Sequence, residues 1–138
     1  MFKPEASQDV PISTIDVDEQ AIAQHLSQAI GFQTVSAQPD KNGPSKIALL
    51  PFDGFIDWLA LTYPEVHQQL TLERVGGYSL LFRWQGENDN LDPILLSAHY
   101  DVVPVVPGSE SLWTHPPYDG VIDDTHIWGR GALDDKSA

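Results

Sequence analysis

Pro93-Ile94-Leu95-Leu96-Ser97-Ala98-His99-Tyr100-Asp101 opens the stretch that organises this chain, and Gly129-Arg130-Gly131-Ala132-Leu133-Asp134-Asp135-Lys136 closes it. The opening is an almost continuous apolar run that turns polar abruptly at His99. A short run of this kind, bounded by turn residues, predicts a buried strand of an α/β sheet. Ligands of such sheets bind beyond the carboxyl ends of the strands, the place that His99 and Asp101 occupy. On an extended backbone, residues two apart point to the same face, so the imidazole and the carboxylate face one side together. One can then bind a metal while the other orients it. The closing Asp134, at the end of a glycine-flanked turn, is able to present both of its oxygens outward.

Imidazole nitrogen and carboxylate oxygen are suitable zinc ligands, and a catalytic zinc keeps one position open for water. His99 suits the ligand role. Asp101 suits the role of holding its second ring nitrogen, which fixes the tautomer and strengthens the ligand. A single carboxylate such as that of Asp134 can also bridge two ions about 3.5–4 Å apart. A lone His-x-Asp is most often a hydrogen-bonded histidine at a strand end, and an Asp in the position of Asp134 can simply cap a helix. The two motifs together, in this order, weigh against the first reading; the second is compatible with metal binding.

His99-Tyr100-Asp101-Val102-Val103-Pro104, then Trp113 and Pro116-Pro117-Tyr118, then Gly129 to Lys136 closely resemble the zinc-dependent aminoacylase and carboxypeptidase family, and its carboxypeptidase S-like branch above all. The resemblance runs from about the first predicted helix to the last residue. It implies an α/β catalytic domain with helices packed on a mixed sheet, of which these residues form the first part. It implies two zinc ions per active site, with cobalt as a substitute. It implies metal ligation by His99 and Asp134, the latter bridging the ions with a cis peptide bond to the next residue, and an active-site role for Asp101. The reaction implied is hydrolysis, by metal-activated water, of an amide next to a free carboxylate. The substrate would be a peptide C-terminus or an N-acyl amino acid. The family's Glu-Glu pair, one member of which is the general base, and its distant histidine have no counterpart here. Neither does the lid or dimerisation domain through which a homodimer would form. The chain therefore reads as an N-terminal portion, inactive by itself. Two rivals are a non-catalytic scaffold or binding member of the same fold, and another metal-dependent hydrolase such as a phosphoesterase. The latter would favour added Arg or Lys by the metals, and Arg130 is the one arginine near the motifs.

Composition narrows the partners. The 138 residues carry 20 acidic and 7 basic side chains, a net charge of −13. Nucleic acid and anionic membrane surfaces are disfavoured partners for so acidic a chain. There is no cysteine, which excludes disulfides and thiolate ligands. No run has the length of a membrane span. Localisation is not legible, because relatives of this branch are variously anchored, vacuolar, secreted or cytoplasmic.

Residues 1–14 read as a flexible arm and 15–138 as the catalytic-domain portion. Asp16-Val17-Asp18-Glu19 predicts a capping box with Asp16 as N-cap, and a helix from about Val17 to Ile30. Thr34-Val35-Ser36, a triplet that also occurs at this place in the resembled family, precedes a loop over Gln38 to Pro44. Phe52, Phe55, Ile56, Leu59 and Tyr63 fit one face of a second helix, and Pro64 starts a short third. Thr71–Val75 and Tyr78–Trp84 predict a hairpin about Gly76-Gly77, with one face well buried. Gly120–Ile122 and Thr125–Trp128 predict a smaller one. His25, His67, His115 and His126 receive no role, and Asp135 with Lys136 suggests a helix-start ion pair.

Overall fold

The computed structural model describes residues 14–36 and 46–138. All but the last residue of the expected arm over residues 1–14, and the whole loop from Gln38 to Pro44, lie outside the described residues. Among the described residues the architecture is α/β: three helices and two small antiparallel hairpins.

Helix α1 spans Glu19–Gly31. Its N-cap is Asp18, not Asp16: the Asp18 carboxylate accepts from the N–H of Ala21 at 2.9 Å. Asp16 and Asp18 both stand before the helix, and the one that caps is the one whose carboxylate meets an unsatisfied first-turn N–H. Helix α2 spans Lys46–Thr62 and α3 Pro64–Gln69. Ala29 and Ile30 of α1 form a small core with Phe52, Phe55 and Ile56 of α2 and with Val102. Phe32 extends it edge-on against Phe55, with ring centroids 5.7 Å apart.

Strands β1 (Thr71–Val75) and β2 (Ser79–Arg83) pair antiparallel, Thr71 opposite Arg83 and Val75 opposite Ser79. The expected buried face is only half-buried at Tyr78, Leu80 and Phe82 and ends in an exposed Trp84. Phe52 packs against Tyr78 and His67 against Phe82. After a single 3₁₀ turn (Glu110–Leu112), strands β3 (Val121–Ile122) and β4 (Ile127–Trp128) form the smaller hairpin. Asp123 holds its turn, accepting from the N–H groups of Thr125 and His126, both at 2.8 Å, and from the Trp128 indole at 2.6 Å.

Two expectations are corrected. The run Pro93–Ala98 belongs to no strand, and Ile94, Leu95 and Leu96 are 90%, 79% and 90% exposed. A strand exists through its ladder, and among the described residues no strand lies beside this run. Pairing begins only after the motif, at the parallel bridge of Val35 to Val102. Residues 130–137 form successive turns, not the start of a helix. Lys136 makes no ion pair with Asp135. Its ammonium donates to the carbonyls of Ala29 at 2.7 Å and Phe32 at 2.6 Å, at the C-terminal end of α1, where cations are favourably placed.

Candidate active site

The segment after α1 positions the site. Val102 donates its N–H to the Thr34 carbonyl at 2.8 Å, and Ser36 donates to the Val102 carbonyl at 3.4 Å. Thr34 is wholly buried, and its hydroxyl donates to the Tyr100 carbonyl at 2.5 Å. The Tyr100 ring stacks on Phe55 at 4.8 Å, and its hydroxyl donates to the Tyr78 carbonyl. With Tyr100 turned into the aromatic cluster, its neighbours His99 and Asp101 are turned the other way, as the two-residue period requires.

His99, Asp101 and Asp134 meet there. His99 Nδ1 lies 3.0 Å from the Asp101 carbonyl oxygen and 3.2 Å from Asp101 Oδ1. On the other side of the ring, Nε2 lies 3.1 Å from Asp134 Oδ1, across 35 positions of sequence. The His99 N–H donates to Asp135 Oδ2 at 3.1 Å, so both motifs are also tied through the backbone. The Asp134–Asp135 peptide bond is cis. Asp101 Oδ2 accepts from the Ser36 hydroxyl. These groups line an open cleft of about 570 Å³ walled by Val35, Val102, Val103 and Pro104.

The electrostatics favour a cation. The Asp101 carbonyl raises the His99 pKa above its ordinary value; burial opposes this, and the Asp134 and Asp101 carboxylates add to the rise. With Nδ1–H given to Asp101, a neutral ring turns the Nε2 lone pair toward the Asp134 carboxylate. Two acceptors facing each other require a positive charge between them, either a proton or a metal ion. Two ligands about 2.0–2.1 Å from a tetrahedral zinc lie roughly 3.3 Å apart, near the 3.1 Å found here. The donor set therefore fits a divalent metal. Among the described residues, no cluster of three or more His, Cys, Asp or Glu side chains forms a fuller ligand set.

Sequence reasoning left Ser36, Asp135 and Lys136 without a function, yet all three touch or brace this cleft. The Thr34-Val35-Ser36 triplet was the available signal for Ser36. For the tie of Lys136 to Ala29 there was none. Arg130 stacks over Trp113, 4.9 Å from the ring centre, and does not line the cleft. The four unassigned histidines pack against aromatic rings: His25 on Trp58 and Tyr63, His67 on Phe82, and His115 and His126 on Trp128.

Residues 95–138, which contain His99, Asp101 and Asp134, match the model of peptidase family M20/M25/M40. The chain thus carries the signature of that peptidase family, which is generally metal-dependent. Within it, the likeness is to the carboxypeptidase S-like branch. Probable carboxypeptidase S-like 2 of Dictyostelium discoideum is 43% identical over 118 residues, covering 85% of this chain and 22% of that protein. Carboxypeptidase S of Saccharomyces cerevisiae is 42% identical over 83 residues, 59% of this chain and 14% of that protein. The N-fatty-acyl-amino acid synthase/hydrolase PM20D1 of Xenopus tropicalis is 34% identical over 122 residues, 87% of this chain and 22% of that protein. The chain spans about a fifth or less of the length of these relatives, 14–22%. No solved structure matches it. No helix among the described residues is long and apolar enough to cross a membrane.

Proposed function

We propose that this chain is the first part of the catalytic domain of a zinc-dependent exopeptidase or amidohydrolase. The enzyme cleaves amide bonds next to a free carboxylate, in a peptide C-terminus or an N-acyl amino acid. The observation that carries the reading is the convergence of His99 Nε2 and Asp134 Oδ1 at 3.1 Å, with Asp101 on the far side of the ring. In support, the relatives are named carboxypeptidases and an N-fatty-acyl-amino acid synthase/hydrolase.

When bound, a divalent metal supplies a Lewis acid and lowers the pKa of its water. The side chains around it have separate tasks. His99 offers Nε2 as a neutral ligand. Asp101 keeps the proton on Nδ1 and holds the ring plane, so that the lone pair stays on the metal side. Asp134 offers Oδ1 beside His99, and its second oxygen is suited to a second ion. Asp135 fixes the backbone of His99. The general base and the remaining ligands belong, on this reading, to the part of the relatives' length that these residues do not span. The open cleft gives substrate access to the carboxylate side of the pair.

A phosphoesterase reading gains no support from the cleft. Phosphate recognition favours Arg or Lys beside the metals, whereas Arg130 is engaged with Trp113. The deciding experiment is an assay of the full-length protein on N-acyl amino acids and C-terminally free peptides. It is run as purified, after chelation, and after zinc is restored. Amide hydrolysis abolished by the chelator and recovered with zinc is expected. Metal-loaded protein with no amide hydrolysis would favour the scaffold reading.

A further inference from the structure

We propose that Ser36 is a positioning residue of this site, acting through Asp101 on His99; the inference rests on the metal-side reading of His99, Asp101 and Asp134. Ser36 reaches the cleft by backbone pairing and not by a wandering loop. The Val35–Val102 bridge fixes the register, and the Thr34 carbonyl and the Ser36 N–H pair with Val102 on its two sides. Thr34, two residues before Ser36, is wholly buried and holds the Tyr100 carbonyl. The chain direction at Ser36 is thus set by the bridge to Val102 and by the buried Thr34.

From that place the Ser36 hydroxyl donates to Asp101 Oδ2, while Asp101 Oδ1 lies 3.2 Å from His99 Nδ1. A carboxylate with one oxygen engaged can still swing about its last torsion, which is broad for Asp. A carboxylate with both oxygens engaged is held. This matters because Asp101 is 43% exposed and His99 51% exposed, so water competes for both groups. Ser36 closes a line of contacts, Ser36 to Asp101 to His99 to Asp134, in which each member orients the next. The hydroxyl also lines the cleft itself. The plainer alternative is a serine that merely solvates an exposed carboxylate; such a serine would have no effect on His99.

The test is a double-mutant cycle in the full-length protein: Ser36→Ala, Ser36→Thr, Asp101→Asn, and Ser36→Ala with Asp101→Asn. Zinc affinity is read by chelator competition, together with kcat, KM and the unfolding midpoint. Removing one outer partner of a ligand commonly costs 10–100-fold in affinity or activity, and Ser36 stands one step further out, so Ser36→Ala is expected to weaken zinc binding and kcat about tenfold. KM should stay within about twofold. Ser36→Thr restores a hydroxyl and should recover most of the loss. In the Asp101→Asn background, Ser36→Ala should add less than about twofold, because its target is already altered. Wild-type affinity and kcat in Ser36→Ala beside an impaired Asp101→Asn would overturn the proposal. So would an equal loss in both backgrounds, or a fall in unfolding midpoint with affinity untouched. An Asp101→Asn variant with unchanged affinity and turnover would instead overturn the site reading beneath it.

Discussion

The Lys136 ammonium lies 2.7 Å from the Ala29 carbonyl, 107 residues earlier in the chain. The motif that presents Asp134 is thereby fastened to the C-terminal end of α1. The same ammonium reaches the Phe32 carbonyl and sits 5.3 Å from the centre of the Phe55 ring. Burial lowers its pKa to about 8, while two carbonyls and an aromatic face are partners suited to its charged form.

Replacing Lys136 by Met keeps the apolar stem and removes the donor. A lost charge-assisted hydrogen bond costs up to about 3 kcal/mol when it orphans its partner. Here both carbonyls keep a backbone donor, Phe32 N–H on Ala29 and Thr34 N–H on Phe32. The lower end applies, and Lys136→Met is expected to lose about 1 kcal/mol in thermal or urea unfolding. A variant at least as stable as wild type would show that the tie contributes nothing.

Asp123 gives a pH dependence. The N–H of Thr125, then the Trp128 indole and the His126 N–H, hold its carboxyl well below the usual carboxylate range. A depressed folded pKa means that the unfolded chain binds the proton more readily. The stabilisation is therefore fully present above about pH 4, the ordinary Asp value, and is lost as pH falls below it. Asp123→Asn should be less stable than wild type at neutral pH, and the gap should narrow as the solution is acidified toward pH 2. A gap that stays constant across that range would contradict the account. Far-UV circular dichroism in denaturant, repeated across the pH series, measures it.

Gly131 has a φ of +83°, and a Cβ placed there would stand 2.6 Å from Val102 Cγ1. Val102 carries the pairing that fixes Thr34 and Ser36, so the clash reaches the cleft directly. The left-handed backbone alone costs an alanine roughly 1–2 kcal/mol. Gly131→Ala should lower both the unfolding midpoint and zinc affinity. Gly86→Ala meets nothing within 4 Å and should stay within about 0.5 kcal/mol of wild type. Equal behaviour of the two variants would refute the packing argument.

Much of this was legible before any coordinates. Gly76-Gly77 marks its hairpin because both glycines take positive φ there, and the α2 face announces itself by helical spacing at Phe52, Phe55 and Ile56. Even the His99–Asp101 relation follows from the period of extended chain. What was not legible depends on partners far along the chain. The Pro93–Ala98 run has the composition of a buried strand, but composition does not supply the ladder that would bury it. The capping-box spacing to Glu19 points to Asp16, and only backbone geometry selects Asp18. Every residue has a carbonyl, so nothing at Ala29 or Phe32 marks them as the seat of Lys136. Ser36 was visible as part of a triplet, while its reach to Asp101 depends on the register of a single parallel bridge.

The central claim is that His99 and Asp134 hold one metal ion between them. It is tested most directly by a crystal structure of the full-length protein grown with zinc, with diffraction data collected on both sides of the zinc absorption edge. The account predicts an anomalous peak within bonding distance of both His99 Nε2 and Asp134 Oδ1, with Asp101 still against His99 Nδ1. A fully occupied zinc peak elsewhere, with His99 and Asp134 bonded to each other and not to metal, would contradict it.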